Sequence, residues 1–260
     1  MIIAQITDTH IQLPGPNAPN SEVRAADLRR AVADINALDT PPDAVIHTGD
    51  LTQNARPEEY ARAREILDQL QAPLYVTPGN RDSRKEIATA FTDRYEMLDR
   101  NGFINYAVDD HPVRLIAFDS LSANSNLGDF CKNRLTALDA KLATHPEKPS
   151  LVFMHHPPFE AVAEKNHYHY ERLEAAVEIK EVLSRHAQVI RVLSGHAHQF
   201  DKAWLGDVEV STQPSLATEL RCGFYPIQMA DTVIYQLHFF NGGRELYSQA
   251  RIVDSHTAAA

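Results

Sequence analysis

The sequence predicts an α/β fold of two sheets packed together with helices outside. Three features carry that prediction. Short apolar runs alternate with helical periodicities from the N-terminus to Ser83. Apolar runs also return later in the chain, each ending on polar residues. The last stretch, from Val208 onward, changes to β-type patterning with hairpin signals.

Ile2 to Thr7 reads as the first strand. Ser21 is the expected N-cap of a helix running to about Leu38, with Leu28, Val32, Ile35 and Leu38 as its buried stripe. Pro41 and Pro42 stop it, and Asp43 to His47 forms the second strand. Pro57 opens a second helix, where its missing N–H costs nothing. The stripe there is Tyr60, Ala63, Leu67 and Leu70. Pro73 to Thr77 is the third strand, and Ser83 with Glu86 gives a capping box for the next helix. This β-α-β-α-β-α order predicts parallel strands with right-handed crossovers. Phe103–Val108 and Val113–Phe118 read as a hairpin around Asp109-Asp110-His111-Pro112. Leu135–Leu142 is helical, Leu151–Met154 a strand, and Glu171–Ser184 a helix with Leu173, Val177 and Leu183 inward. Val189–Leu193 is a strand. Val208–Ser211, Thr232–Phe239 and Glu245–Val253 are β, with Asn241-Gly242-Gly243 as a turn. No linker divides residues 1–254, so one domain is expected, its C-terminal β segments over 209–254 and a frayed tail over 255–260.

Five of the predicted strands end on polar clusters. These are Asp8-Thr9-His10, Gly49-Asp50, Gly79-Asn80-Arg81-Asp82, His155-His156-Pro157-Pro158 and Gly195-His196-Ala197-His198. If Asp8 and His10 continue a strand, side chains two apart share a face and converge on one ion. Each cluster alone is weak. Gly-Asp is commonly a turn, and Asn after Gly an Asx turn. Together they offer two Asp, one Asn and four or five His, a donor set suited to two divalent metals. Open α/β sheets place their sites at these carboxyl ends.

The formal charge is −10, against the basic face of a nucleic-acid polymer binder. A small anionic substrate stays compatible, because bound cations reverse the local field. No apolar run reaches the ~18–20 residues of a membrane span. MIIAQITDTH lacks a basic n-region, so it reads as a strand and not a leader. Cys131 and Cys222, far apart, read as reduced thiols of a cytoplasmic protein.

The series Asp8-x-His10, Gly49-Asp50, Gly79-Asn80, His155 and Gly195-His196-x-His198 resembles the calcineurin-like metallophosphoesterases. The short Asp-to-Asp and Asp-to-Asn spacings and His155-His156-Pro157-Pro158 resemble its class III cyclic-nucleotide phosphodiesterase and glycerophosphodiesterase branch. The likeness covers roughly residues 1–215 and is loose beyond. It implies a four-layer αββα sandwich with a dinuclear centre of Fe, Mn, Zn or Co. One metal would take Asp8, His10 and His198, the other Asn80, His155 and His196, with Asp50 bridging. His156 would then sit behind the ligands or near substrate. The implied reaction is hydrolysis of small phosphodiesters by a metal-activated water, as two cations about 3.5–4 Å apart lower its pKa and clamp phosphoryl oxygens. A phosphomonoesterase such as a nucleotidase, or a non-catalytic scaffold on the same fold, are the other readings. Family precedent also implies a homo-oligomer, through the C-terminal β segments.

One position departs from the pattern. The family usually carries His after the Asn, near the phosphate or leaving group; this chain has Arg81. A guanidinium can hold a phosphate oxygen in its planar fork, yet cannot donate a proton near neutrality. Asn54 and Arg56 follow the bridging carboxylate closely enough to face a phosphate. His167 and His169 fall in an aromatic loop. His47 reads as a packed strand residue, Trp204 as core or interface, and His111, His145, His186, His238 and His256 as structural or exposed.

Overall fold

The computed structural model describes residues 1–93, 97–161, 170–172 and 174–253. Its elements run β1 (Ile2–Ile6), α1 (Ser21–Asn36), β2 (Ala44–His47), α2 (Pro57–Leu67), β3 (Leu74–Val76) and α3 (Arg84–Ala90). There follow β4 (Ala107–Val108), β5 (Arg114–Ala117), α4 (Lys132–Ala143), β6 (Ser150–Phe153), α5 (Glu174–Ser184) and β7 (Val189–Leu193). The chain closes with β8 (Asp201–Leu205), β9 (Val208–Thr212), β10 (Val233–Phe240) and β11 (Leu246–Val253).

The strands form two mixed sheets, in the orders β11-β10-β1-β2-β3 and β4-β5-β6-β7-β9-β8. β1, β2 and β3 are parallel, as the βαβ pattern requires. So are β5, β6, β7 and β9. The pleat of the second sheet explains the layers. Leu115, Ala117, Leu151 and Phe153 share a buried cluster with Ile3, Val45 and Tyr235 of the first sheet. Their alternates Ile116 and Val152 join a second cluster with Leu135 and Leu138 of α4 and Ile179 and Val182 of α5. Leu28, Val32 and Ile35 of α1, with Tyr60, Ala63 and Leu67 of α2, bury into the first cluster, as their periodicity requires. The expected sandwich of two sheets flanked by helices is therefore present.

Several local expectations change. Ser21 is the first helical residue and not the cap. Arg24 N already donates to Asn20 O at 3.0 Å, which closes the first turn one residue earlier. The strand expected over 103–108 shrinks to β4. The Asn105 N–H turns back to Phe103 O and that of Ile104 goes to the Asp119 carboxylate, which removes both from a ladder. Val177 is 57% exposed, because α5 buries Ala175, Ile179, Val182 and Leu183, and position 177 falls on the other side. Strand β8 was not expected. It is an edge strand, and Trp204 on it is 62% exposed and no part of the core. Leu173, His167, His169, His256 and the tail lie outside the described residues.

Candidate metal centre

The predicted ligands meet where the two sheets bring their strand ends together, but not through the pleat. β1 ends at Ile6, and Asp8 and His10 adopt left-handed backbone, φ 52° and 45°. Asp50 (53°), His196 (67°) and His198 (55°) do the same. The two residues of Asp-x-His converge through this turn geometry, which corrects the strand-face expectation. Left-handed φ disfavours ordinary L-residues by roughly 1–2 kcal/mol, although Asp and His adopt it more readily than most. Among the described non-glycine residues only Ala55 shares it. Backbone strain is thus concentrated on the candidate ligands.

Asp8, Asp50, His155 and His198 each commit one polar atom to the protein and turn another inward. Asp8 Oδ2 accepts from Thr7 Oγ1 (2.7 Å) and His196 N (3.1 Å), leaving Oδ1 3.1 Å from His198 Nε2 and 3.8 Å from His10 Nε2. Asp50 Oδ1 accepts from Arg81 N at 2.7 Å, leaving Oδ2 3.5 Å from His10 Nε2 and 3.6 Å from His155 Nε2. His155 Nδ1 donates to Thr48 O and His198 Nδ1 to Leu220 O, both at 2.8 Å, so each ring presents Nε2 to the site. Asn80 Oδ1 lies 3.0 Å from both His155 Nε2 and His196 Nδ1. Asp8, Asp50 and His155 are fully or almost fully buried.

Two glycines make the approach possible. A Cβ on Gly79 would stand 2.2 Å from the backbone N of Asp50, and one on Gly195 2.1 Å from Thr7 Oγ1. The Gly before each ligand is thus a spacing requirement.

The electrostatics fit a cation. Burial opposes ionisation of Asp8, yet His198 and the hydrogen bonds of His10 and His198 hold its carboxyl well below the usual range. Burial likewise opposes charge on His198, and Asp8 overcomes it, raising that imidazole to about 9. His10 Nε2 and His198 Nε2 stand 3.4 Å apart, while buried His10 Nδ1 has no hydrogen-bond partner. Several nitrogen and carboxylate lone pairs thus aim at one small volume. Asp8, His10 and His198 form a group that could hold a metal ion, as do Asp8, Asp50 and His155.

His156 stands differently. Its Nδ1 pairs with Ser120 Oγ (2.9 Å) and its Nε2 with Asn126 O (3.1 Å). Its ring packs 4.5 Å from that of His196 and 4.8 Å from that of His155. With both nitrogens engaged, His156 supports the rings in front of it. The expected direct contact with substrate is not open to it while those bonds hold. His155, His156 and His196 lie close enough to share an ion, and Asn80 Oδ1 stands within 3.0 Å of a nitrogen of both His155 and His196.

Arg81 is exposed, and its guanidinium makes no hydrogen bond or ion pair among the described residues. A salt bridge to Asp82 is absent. Asp82 instead accepts from Leu51 N, Thr52 N, Gly79 N and Tyr60 Oη, tying the turns after β2 and β3 together. Burial, then the charge of Asp50, pushes its carboxyl up to about 7. The sequence reading missed this role, and it read Tyr60 as apolar stripe only. Asn54 is exposed and donates from Nδ2 to Glu59 Oε1 at 2.7 Å. His47 is buried as expected, with Nε2 3.0 Å from Thr9 Oγ1, and burial lowers its imidazole to about 3.

Comparison with known proteins agrees with this architecture. A family model described as calcineurin-like phosphoesterase matches residues 1–200. A probable glycerophosphodiester phosphodiesterase from Arcobacter nitrofigilis is 31% identical over 245 residues, 92% of this chain and 89% of its own. A probable cyclic nucleotide phosphodiesterase from Synechococcus sp. is 30% identical over 200 residues, 76% of this chain and 73% of its own. In fold, a dimetal phosphatase from Danio rerio superposes with a TM-score of 0.71 at 15% identity, covering 98% of each chain. On this match, with all five polar clusters gathered in one place, the chain belongs to the calcineurin-like phosphoesterase family.

Proposed function

We propose that the chain hydrolyses small phosphodiesters, of cyclic-nucleotide or glycerophosphodiester type, with two divalent cations. Asp8, His10 and His198 would hold one, and Asn80, His155 and His196 the other. The observation that carries this reading is the free Oδ2 of Asp50, 3.5 Å from a nitrogen of the first set and 3.6 Å from one of the second. An oxygen so placed serves both sets. When bound, such a cation pair polarises a phosphoryl oxygen and supplies an activated water at neutral pH.

The chain's own residues do the rest. Asp50 supplies the shared negative charge. Asn80 is a neutral donor and leaves more positive charge for an anionic substrate. Arg81, exposed beside it, holds a non-bridging phosphate oxygen and donates no proton to the leaving group. Asn54 is a further phosphate contact, using the amide hydrogen that Glu59 does not take. The names of the two relatives above support both substrate types.

The reading includes a homo-oligomer, supported by Trp204 (62% exposed) on edge strand β8 and Tyr247 (62%) on edge strand β11. It includes a reducing, cytoplasmic setting, in keeping with a chain whose two cysteines, Cys131 and Cys222, lie far apart in sequence. None of the described helices is long and apolar enough to cross a membrane.

The test is metal analysis of the purified protein, with Mn²⁺-supplemented assays of bis-p-nitrophenyl phosphate, cyclic AMP and glycerophosphodiesters side by side. Two metal equivalents and diester turnover are expected. Turnover of monoesters alone would remove the proposal.

A further inference from the structure

A buried polar chain runs beneath the metal centre and joins ligand-bearing turns from different sheets. Its middle is Gln5 on β1, 1% exposed. Gln5 Nε2 donates to Thr48 Oγ1 and to the Ser194 carbonyl, each at 3.1 Å. Thr48 follows β2 in the first sheet and opens Thr48-Gly49-Asp50, while its own carbonyl orients His155 at 2.8 Å. Ser194 follows β7 in the second sheet and opens Ser194-Gly195-His196. One carboxamide thus spans the two turns that deliver Asp50 and His196, the first of which also orients His155.

The orientation of that amide is determined by its partners. Ser194 offers a carbonyl, so the group facing it must be the NH₂ end. Oε1 then faces His238 Nε2 at 3.0 Å, which must be the donor. His238 Nδ1 is left as acceptor for the Ser248 hydroxyl at 2.7 Å, a bond that reaches edge strand β11. His238 is fully buried. A flipped Gln5 would set its oxygen against the Ser194 carbonyl, which can only accept, whereas the Thr48 hydroxyl and the neutral His238 ring can each donate or accept, so the carbonyl decides the orientation.

We propose that Gln5, held in one orientation by the Ser194 carbonyl and supported by His238, is a positioning residue for the metal centre, acting chiefly on the Asn80–His155–His196 set. This rests on the two-cation reading above. The selectivity follows from the contacts: the Thr48 carbonyl orients His155, Ser194 stands two residues before His196, and His198, further along the same turn, is anchored separately through Leu220 O. Gln5 touches neither cation nor substrate.

The test is Mn²⁺ titration of the full-length protein by calorimetry, with thermal unfolding alongside. Gln5→Met keeps length and apolar volume and removes both donors. It should weaken one of two Mn²⁺ binding steps about tenfold or more and leave the other within about twofold, because supporting hydrogen bonds usually change metal affinity by about 10–100-fold. In an Asn80→Ala background, Gln5→Met should add less than half of that loss. Tyr235→Phe is the control; it removes a buried hydrogen bond to Asp34 of α1, which shares no partner with Gln5, and should shift the midpoint without moving either step. If Gln5→Met lowers the midpoint like the control and both steps keep their affinity, or both weaken equally, the network is structural only and the proposal fails. If Gln5→Met does not fold, His238→Phe carries the same comparison, with about threefold expected in the same step and none overturning it. A wild-type protein that binds fewer than two Mn²⁺ refutes the two-cation reading instead, which keeps the two failures distinguishable.

Discussion

The two sheets contribute different chemistry to one site. The turns after β1, β2 and β3 bring Asp8, His10, Asp50 and Asn80, and so every oxygen donor. The turns after β6 and β7 bring His155, His196 and His198, imidazoles only. In the proposed assignment the first sheet supplies the negative charge and the shared oxygen, and the second closes each set with imidazole nitrogen. Neither half would complete a proposed ligand set alone, so it is packing of the sheets that brings these side chains together. The hydrogen bonds crossing between them there, His196 N to Asp8, His155 Nδ1 to Thr48 O and Gln5 to Ser194 O, are accordingly buried or nearly so.

The comparison breaks most severely at the shared oxygen. Asp50→Ala should reduce turnover of bis-p-nitrophenyl phosphate by more than about 100-fold, since even supporting contacts are worth about 10–100-fold in metal affinity or activity. Equal activity would show that the two halves do not meet at Asp50. Next is Gly79→Ala, which forces a methyl to 2.2 Å from Asp50 N. Overpacking of this kind costs about 1–3 kcal/mol, so thermal unfolding should shift down and metal content should drop with it. An unchanged midpoint would mean that the turn after β3 is free to move.

Acid should act on the first sheet through its neutral imidazoles. Burial lowers both His47 and His238 to about 3. Unfolded, each titrates near the ordinary value of about 6.5. Between those values the unfolded chain binds one more proton per imidazole, so stability falls as pH falls through that window, by up to about 1.4 kcal/mol per pH unit for each. Urea unfolding between pH 7 and 4 measures the slope, and His238→Asn should make it shallower by one proton.

Arg81→His sharpens the role of the residue beside Asn80. It should raise turnover of alkyl diesters about tenfold more than that of aryl diesters, a modest share of what general acids contribute. No change in either class would remove Arg81 from the leaving-group side. The smallest effect is expected at the other end of the second sheet. Trp204→Ser on exposed β8 should change monomer stability by less than about 0.5 kcal/mol. Light scattering on the same variant reads any association through that edge.

The gathering of the candidate ligands was legible in the sequence because strand ends are fixed by local patterning. An apolar run of four or five residues ends where the polar cluster begins, and in Asp8, Asp50, Asn80, His155, His196 and His198 the cluster is the message. The helical stripes at Leu28, Val32 and Ile35 were legible for the same reason, since burial follows a 3.6-residue period. Tertiary structure alone decided the rest. It assigned left-handed turns to Asp8 and His10, because only the facing sheet compensates that strain. It engaged both nitrogens of His156 through Ser120 and Asn126, residues with no motif of their own. It made Asp82 a tie between two turns, and Gln5 a bridge between two sheets. A buried polar group is defined by the partners that satisfy it, and those partners lie tens to hundreds of residues away in a sequence that does not announce them.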